Sequence, residues 1–240
     1  MPDLYDYIFK RKSVRKYDMT GLSELELDEM RGFADSLKPL YPSIKTACRI
    51  DSSVAVFCPV RAPHYISVFS ENTEGYLENA GFMFQQLDLF LSSKGCGSCW
   101  LGLAKPISRV RGMASPIILS FGRPAENLYR DDITKFRRKD IAEISKGHDS
   151  RLEAARLAPS ASNTQNWFFA CGDDGRVDVY QKLFSNPVKA AMYGNFNRLD
   201  AGIAICHLYL ATLHEGREFS FIKKDGAEEM KGYLYIGTVI

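Results

Sequence analysis

Two short polar segments of this 240-residue chain carry the side chains best suited to ligand chemistry. The first is Arg11-Lys12-Ser13-Val14-Arg15, which places two guanidinium groups, an ammonium group and a hydroxyl within five positions. The planar guanidinium of arginine binds phosphate through two parallel hydrogen bonds, and a serine hydroxyl adds another. The segment therefore predicts a phosphate grip formed by Arg11, Lys12, Ser13 and Arg15, although a solvated basic turn has the same composition.

The second polar segment is Pro159-Ser160-Ala161-Ser162-Asn163-Thr164-Gln165, which precedes an apolar stretch that begins at Trp167. Its hydroxyl and amide groups are suited to hydrogen bonding along the edge of a planar heterocycle, and they leave the face of such a ring free. An Asx or Ser turn is the alternative interpretation of these residues.

Other catalytic patterns are missing from the sequence. It has no nucleophile elbow, no Walker loop, no dinucleotide fingerprint and no pair of histidines at metal-ligand spacing. Cys96-Gly97-Ser98-Cys99 has the spacing of a redox pair, but it follows a predicted helix, and we interpret it as a tight glycine turn. The lack of a protein acid, base or nucleophile set favours a cofactor that supplies its own chemistry.

Composition narrows the class of protein further. A hydrophobic content of 45% is ample for a core, and a net charge of +2 gives no basic field of the kind that nucleic-acid binding requires. No apolar stretch approaches the roughly 20 residues of a membrane span. We therefore expect no nucleic-acid partner, no membrane association and a cytoplasmic location.

A repeated helix pattern must position the two polar segments. Asn79-Ala80-Gly81 and Asp200-Ala201-Gly202 each open an apolar, helix-spaced run, and each run ends at a glycine 14 residues after its first one, at Gly95 and Gly216. The basic segment precedes the first copy alone, whereas the Pro-Ser-Asn-Gln segment precedes the second. We therefore predict an α+β fold of two degenerate halves, residues 1–144 and 145–240, with long central helices between antiparallel-rich sheets.

The patterns predict further elements with approximate bounds. Helices are expected at residues 4–11, 24–37, 107–113 and 149–157, with a capping box at Ser23 and Glu26. A glycine- and asparagine-bearing loop is expected at residues 192–197, directly before the second long helix. Strands are expected at residues 53–58, 65–69, 116–122, 167–171, 177–181, 218–223 and 232–239.

These motifs together resemble the nitroreductase-like flavoprotein superfamily. Its members begin with an Arg-x-Ser-x-Arg motif, matched by Arg11, Ser13 and Arg15. The chain also matches three further motifs of the superfamily, namely Ala-Pro-Ser-x-x-Asn-x-Gln-Pro-Trp at residues 158–167, Gly-x-Gly-Ser-Cys-Trp-x-Gly at residues 95–102, and Gly-x-Pro-Ala-Glu at residues 122–126. The changed order of the motifs is similar to the branch called putative TM nitroreductases, in which two family-like halves are fused.

The resemblance implies one FMN between the halves and NADH or NADPH as the hydride donor. The phosphate end would be held by Arg11, Lys12, Ser13 and Arg15 with the help of Arg137 or Arg138, and backbone groups near Gly102 and Leu103 would approach the flavin ring. The second half would contribute Pro159, Ser160, Ala161, Asn163 and Gln165. Two departures stand out: Asn166 replaces the usual proline before Trp167, and Lys38-Pro39-Leu40-Tyr41 stands where the first half should carry its own polar motif.

Three functions follow from these expectations. The first is an FMN-dependent NAD(P)H oxidoreductase that reduces nitroaromatics, quinones or similar small-molecule acceptors by a ping-pong mechanism. The second is a flavin-binding protein without turnover, used for storage or redox sensing, and the third is an interaction domain that has lost the cofactor. Because two halves in one chain complete the implied site, we expect a monomer.

Overall fold

The computed structural model describes residues 3–55 and 60–240 and shows a mixed α/β fold with two sheets. The first sheet is antiparallel and has four strands in the order β1-β2-β4-β3. The helices and strands of this part of the chain are, in order, α1 Tyr5–Ile8, α2 Glu24–Asp35, β1 Thr46–Asp51, β2 His64–Ser70, α3 Tyr76–Ser93, β3 Gly97–Leu101 and β4 Ile118–Gly122.

The second sheet has five strands in the order β5-β6-β7-β9-β8, in which β5 and β6 run parallel and the other pairs antiparallel. A 3-10 turn at Ile133–Phe136 precedes this part, and another lies at Ala161–Asn163. The remaining elements are α4 Ile141–Ile144, β5 Ser145–Lys146, α5 Leu152–Arg156, β6 Trp167–Cys171, β7 Val177–Lys182, α6 Pro187–His214, β8 Phe221–Ile222 and β9 Tyr233–Val239.

The two long helices α3 and α6 pack against each other between the sheets. Both are buried on nearly every face over their central turns, as an apolar helix without a polar stripe must be. They cross at two glycines: a Cβ atom on Gly81 would lie 2.0 Å from the carbonyl oxygen of Leu199, and one on Gly202 would lie 2.0 Å from that of Glu78. Glycine is therefore required at both positions for the backbones to approach this closely.

Polar side chains buried along the central helices hold loops in place. Asn79 Oδ1 of α3 accepts hydrogen bonds from the backbone N–H groups of Leu40 (2.8 Å) and Tyr41 (2.9 Å). On α6, His207 Nδ1 lies 2.7 Å from the Ala154 carbonyl oxygen and its Nε2 lies 3.2 Å from Gln85 Nε2. The imidazole is consequently neutral, with the proton on Nδ1 and an acceptor at Nε2.

Several elements appear where the sequence predicts them. The capping box at Ser23 and Glu26 is present at the start of α2, and the hairpin of β6 and β7 agrees with its predicted bounds to within one residue. Helices α1, α2 and α5 are shorter than predicted, and the strand predicted at residues 218–223 is reduced to Phe221–Ile222.

The strand predicted at residues 53–58 is wrong for residues 53–55, and its last three residues lie outside the described part. The strand next to β2 is instead β1, which pairs with it from Thr46 opposite Ser70 to Asp51 opposite Tyr65. Ala55 donates its backbone N–H to the carbonyl oxygen of Lys105 at 2.8 Å. The edge of β2 is thus hydrogen-bonded to β1, and the backbone of Ala55 is hydrogen-bonded to the loop that contains Lys105.

Two other local predictions are also wrong, namely the helix at residues 107–113 and the tight turn at residues 96–99. Residues 107–113 form a turn instead of a helix, because Gly112 is left-handed (φ +77°) and Ala114 bridges to Ser70. The tight turn lies at left-handed Gly95, so that β3 already begins at Gly97. Burial raises the pKa of the Cys96 thiol to about 11, which does not suit a redox pair.

The loop predicted at residues 192–197 is part of α6, which already begins at Pro187. Asn186 Oδ1 accepts hydrogen bonds from the N–H groups of Val188 and Lys189, and Pro187 occupies the first helical position. An asparagine cap followed by proline is a strong helix start, and it outweighs the helix-weakening Gly194 and Asn195.

Candidate functional site

A cavity of about 500 Å³ lies between segments of the two halves. Its volume is in the range of small-molecule and cofactor sites. The lining is mainly apolar, with Arg15 and Asp200 as its charged side chains, and comprises Ser13, Arg15, Cys99, Trp100, Gly102, Leu103, Ile117, Pro159, Ser160, Ala161, Ser162, Met192, Tyr193, Phe196, Leu199, Asp200 and Ile203.

The basic segment reaches the cavity because it pairs with β3. Val14 donates its N–H to the carbonyl oxygen of Ser98 at 2.9 Å, and Ser13 forms a parallel bridge with Ser98. A Cβ atom on Gly97 would lie 2.6 Å from Val14 Cβ, so this approach needs the glycine. Through this pairing, Ser13 and Arg15 line the same cavity as Trp100 of β3.

Glu126, from the predicted Gly-x-Pro-Ala-Glu motif, fixes the same segment from outside. Its Oε1 accepts the backbone N–H of Arg15 at 2.9 Å, and its Oε2 lies 3.6 Å from Lys12 Nζ. The hydrogen bond from Arg15, together with the charge of Lys12, lowers the pKa of the Glu126 carboxyl. Lys12 is thereby held beside Glu126 and does not line the cavity.

Arg11 is held below the cavity surface by an acidic residue of α3. Its side chain is 2% exposed, and its Nε lies 3.0 Å from Oδ2 of Asp88, which is fully buried. Asp88 Oδ1 also accepts a hydrogen bond from Ser98 Oγ, and one terminal nitrogen of Arg11 lies 3.4 Å from Ser13 Oγ. Arg11 thus contacts a cavity-lining residue, but it does not itself line the cavity.

Two further arginines add positive charge around Arg11 without a carboxylate partner among the described residues. Arg130 lies 4.2 Å above the ring of Phe136, and burial, with the charges of Arg11 and Arg15, lowers its pKa to about 10. Arg138 is affected more strongly, because burial and the charges of Arg11 and Arg130 lower its pKa to about 9. Mutually repelling guanidinium groups of this kind favour a bound anion.

Neutral acceptors in the second polar segment and just before it hold Arg138. Its terminal nitrogen NH1 donates to Asn163 Oδ1 at 2.6 Å, while NH2 donates to the Leu157 carbonyl oxygen at 3.2 Å. Its Nε is buried and finds no acceptor among the described residues. Asn163 Nδ2 in turn donates to the carbonyl oxygen of Arg137, whose side chain is exposed.

The Pro-Ser-Asn-Gln segment is conformationally unusual. Ser162, Asn163 and Gln165 all have left-handed backbones with φ between +50° and +56°, a region that costs free energy for residues with a side chain. Buried Gln165 stabilises this loop, because its Oε1 accepts the N–H of Lys139 at 2.8 Å and its Nε2 donates to the Asn163 carbonyl oxygen. Strained loops that are tied down in this way concentrate at functional sites.

Helix α6 forms the wall of the cavity opposite β3. Met192, Phe196, Asp200 and Ile203 follow each other at intervals of three or four residues, so that they share one face of the helix. The ring of Phe196 packs over Gly102, where a Cβ atom would lie 2.9 Å from its Cζ. Asp200 is 3% exposed and accepts the N–H of Ala161.

The predicted site residues therefore divide into two groups. Those that line the cavity are Ser13, Arg15, Gly102, Leu103, Pro159, Ser160 and Ala161. Those that stand behind it or beside it are Arg11, Lys12, Arg137, Arg138, Asn163 and Gln165. Hydrogen bonds of Asn163 and Gln165 to residues 137–139 join two segments that are 25 or 26 residues apart.

Other residues of the site are not identified by the sequence motifs. Asp88 and Asp200 are acidic residues within apolar helical runs, and this isolation is a signal of a buried carboxyl group with a specific role. The sequence predicts a loop at Phe196, and Arg130 belongs to none of the motifs.

A comparison with family models decides the relationship of the chain. The model described as "Putative TM nitroreductase" matches residues 3–212. The chain belongs to this family. No curated protein matches its sequence.

A solved structure agrees with this assignment at the level of fold. A crystal structure of a putative nitroreductase from Thermotoga maritima covers 99% of this chain and 92% of its own, with a TM-score of 0.67 and 23% identity. An FMN-dependent nitroreductase from Clostridium difficile R20291 covers 54% of this chain and 95% of its own, with a TM-score of 0.44 and 12% identity. In the part of the chain that the structure describes, no helix is both long and apolar enough to span a bilayer.

Proposed function

We propose that the chain is an FMN-dependent NAD(P)H oxidoreductase of the nitroreductase type. The observation that supports this most strongly is the two-part character of the site: a cluster of arginines adjoins an apolar cavity of about 500 Å³. A phosphate group attached to a planar heterocycle has the matching chemistry. Membership in the nitroreductase family agrees with it.

The residues present fit FMN. The phosphate would lie by Ser13 and Arg15. Of the three nearby arginines, Arg11 pairs with Asp88, whereas Arg130 and Arg138 pair with no carboxylate of the described residues. The buried, unpartnered Nε of Arg138 is a further sign of a missing anion or acceptor. The isoalloxazine ring would lie among Trp100, Phe196 and the Pro159–Ala161 loop.

The residues of the chain would act by binding, orientation and exclusion of water. When bound, FMN supplies the two-electron chemistry, taking a hydride from NADH or NADPH and passing it to an acceptor. The exposed backbone at Gly102 and Leu103 leaves donors available at the ring, while the α6 face covers the apolar side. One open face would serve the nicotinamide and then the acceptor, which gives ping-pong kinetics with a nitroaromatic or a quinone.

We further propose that residues 1–144 and 145–240 are degenerate repeats that share one site. The two central helices cross at Gly81 and Gly202. Two positions before Gly81, Asn79 accepts a backbone N–H from the loop after Pro39. Two positions before Gly202, Asp200 accepts a backbone N–H from the loop after Pro159. By this correspondence Tyr41 takes the place of Ala161, and its ring contacts Phe221 edge-on with 5.8 Å between centroids. By this correspondence, the two aromatic rings would occupy the equivalent location in the first half.

A binding titration tests the proposal. We expect the purified protein to take up FMN, and Arg15→Gln to weaken FMN binding by roughly 10- to 150-fold, because a hydrogen bond to a charged group contributes on the order of 1.5–3 kcal/mol. Arg31→Gln is the matched control, since Arg31 is an exposed residue of α2 paired with Glu24 and Asp28. Equal FMN affinity of the Arg15 and Arg31 variants would contradict the assigned phosphate position.

The same preparation tests the monomer that a complete single-chain site implies. Sedimentation should give a mass near 27.1 kDa with FMN bound. A flavin that is bound in a stable dimer and lost on dissociation would show that the site needs a second chain.

A further inference from the structure

Asp200 is the acidic side chain of the cavity, and its surroundings do not favour a carboxylate. It is 3% exposed, and both of its oxygens share a single donor, the N–H of Ala161, at 3.0 and 3.2 Å. It pairs with no cationic side chain of the described residues, and it belongs to no metal-binding cluster of His, Cys, Asp and Glu among them. Buried carboxylates are ordinarily paired, so this one needs another explanation.

The charged groups around Asp200 do not supply a partner. On α3, Glu78 pairs with Arg198, and Asp88 pairs with Arg11. The segment 159–163, which packs against α6 at this point, carries no charged side chain. Arg15 lines the same cavity without pairing with Asp200. Burial accordingly raises the pKa of the Asp200 carboxyl well above its ordinary value.

We propose that Asp200 is the proton donor of the site, a catalytic acid that protonates the bound acceptor as it is reduced. This inference rests on the proposed oxidoreductase function. Its support is the position of Asp200 on the face of α6 that lines the cavity, between Phe196 and Ile203. A protonated carboxyl group here both accepts the N–H of Ala161 and has a proton to donate.

The step balances for a quinone acceptor. Reduction to the quinol needs two electrons and two protons, of which a hydride from the reduced cofactor supplies both electrons and one proton. The Oδ–H bond of Asp200 breaks, and a new O–H bond forms on the quinone oxygen. The carboxylate that remains is reprotonated by water that enters through the open side of the cavity.

The first test uses the apoprotein and needs no turnover. A raised pKa in the folded state stabilises the protein fully below the unfolded pKa of about 3.9, and this stabilisation is lost as the pH rises through the folded pKa. Asp200→Asn keeps an acceptor for Ala161 but cannot ionise. We expect its Tm to exceed that of the wild type at pH 8 and the difference in Tm to vanish near pH 4.

The second test separates proton donation from positioning. With FMN bound and NADH as donor, Asp200→Asn should reduce p-benzoquinone about 10²-fold more slowly than the wild type, as is typical for loss of a general acid. It should reduce ferricyanide, which takes up electrons without protons, at the wild-type rate. A variant that merely misplaces the cofactor would be slow with both acceptors, and this result would overturn the proposal.

The outcomes also distinguish this inference from the proposed function. If Asp200→Asn reduces p-benzoquinone at the wild-type rate, the proton donor is wrong while the oxidoreductase stands. If wild type and variant both fail to bind FMN or to oxidise NADH, the proposed function fails, and the inference fails with it.

Discussion

Substitution of Gly202 by alanine should show how closely the two central helices must approach to form the cavity. The added Cβ would lie 2.0 Å from the Glu78 carbonyl oxygen, whereas non-bonded heavy atoms prefer about 3.5 Å or more. The obstacle is backbone of a buried helix, which cannot rotate away as a flexible side chain can. The helices must therefore separate by on the order of 1 Å, and the Phe196–Ile203 wall would move with α6.

Two opposing effects determine how far Gly202→Ala lowers the free energy of unfolding. Overpacking of a rigid core costs about 3 kcal/mol at the upper end of its usual range. Alanine in place of glycine inside a helix recovers about 1 kcal/mol. The net loss in the free energy of unfolding is then about 2 kcal/mol or more, which lowers the Tm by roughly 4–8 °C in a chain of this size.

Gly194 on the same helix provides the matched control. A Cβ there would have nothing within 4 Å, so Gly194→Ala should gain about 1 kcal/mol from helix propensity alone. Urea unfolding followed by circular dichroism measures both variants, and Gly32→Ala on α2, also free of contacts, repeats the control. A Gly202→Ala protein as stable as Gly194→Ala would refute the close crossing.

Three other predictions concern the buried groups and the count of sites. Burial lowers the pKa of His207 to about 3. The stabilisation by the neutral imidazole is therefore complete above about pH 6.5, and it falls by about 1.4 kcal/mol per pH unit as the pH drops towards 3. His207→Asn should flatten the pH dependence of the free energy of unfolding between pH 6.5 and 4, and an unchanged slope would contradict the neutral imidazole. Asp88→Asn leaves Arg11 buried without its carboxylate and should cost about 3–5 kcal/mol in denaturant unfolding, while a loss under about 1 kcal/mol would mean that Arg11 has another partner. If the two proposed repeats share one site, calorimetric titration should give one FMN per chain. Two equivalents would contradict a single shared site.

The sequence is sufficient to predict the parts of the fold that depend on local chemistry. The capping box of α2 and the β6–β7 hairpin each carry their signal within a few residues. The equal glycine spacing also leads to Gly81 and Gly202, which the structure places at the helix crossing.

The errors arise where a distant partner decides the structure. Residues 53–58 are the more apolar stretch in the sequence, but residues 46–51 are the ones that pair with β2. The start of α6 lies within residues that are mostly exposed, and its Asn186-Pro187 cap is a local signal for the helix start.

The candidate site was predictable to a similar extent. Polar motifs point to Ser13, Arg15 and the Pro159–Ala161 loop, which all line the cavity. They do not show that Asp88 holds Arg11 or that Asp200 faces the cavity, because these contacts depend on how α3 and α6 pack. Arg138 and Asn163 were each predicted to contact a ligand, yet the hydrogen bond that joins them became visible in the structure alone.

The most direct test of the central proposal is the visible absorption spectrum of the protein reconstituted with FMN, recorded without oxygen before and after NADH or NADPH is added. The proposed function predicts bands of protein-bound oxidised flavin that bleach rapidly on nucleotide addition and return when a quinone is supplied. Bound flavin that does not bleach would indicate a storage or sensing role instead. A protein that takes up no FMN would contradict the assignment of the cavity itself.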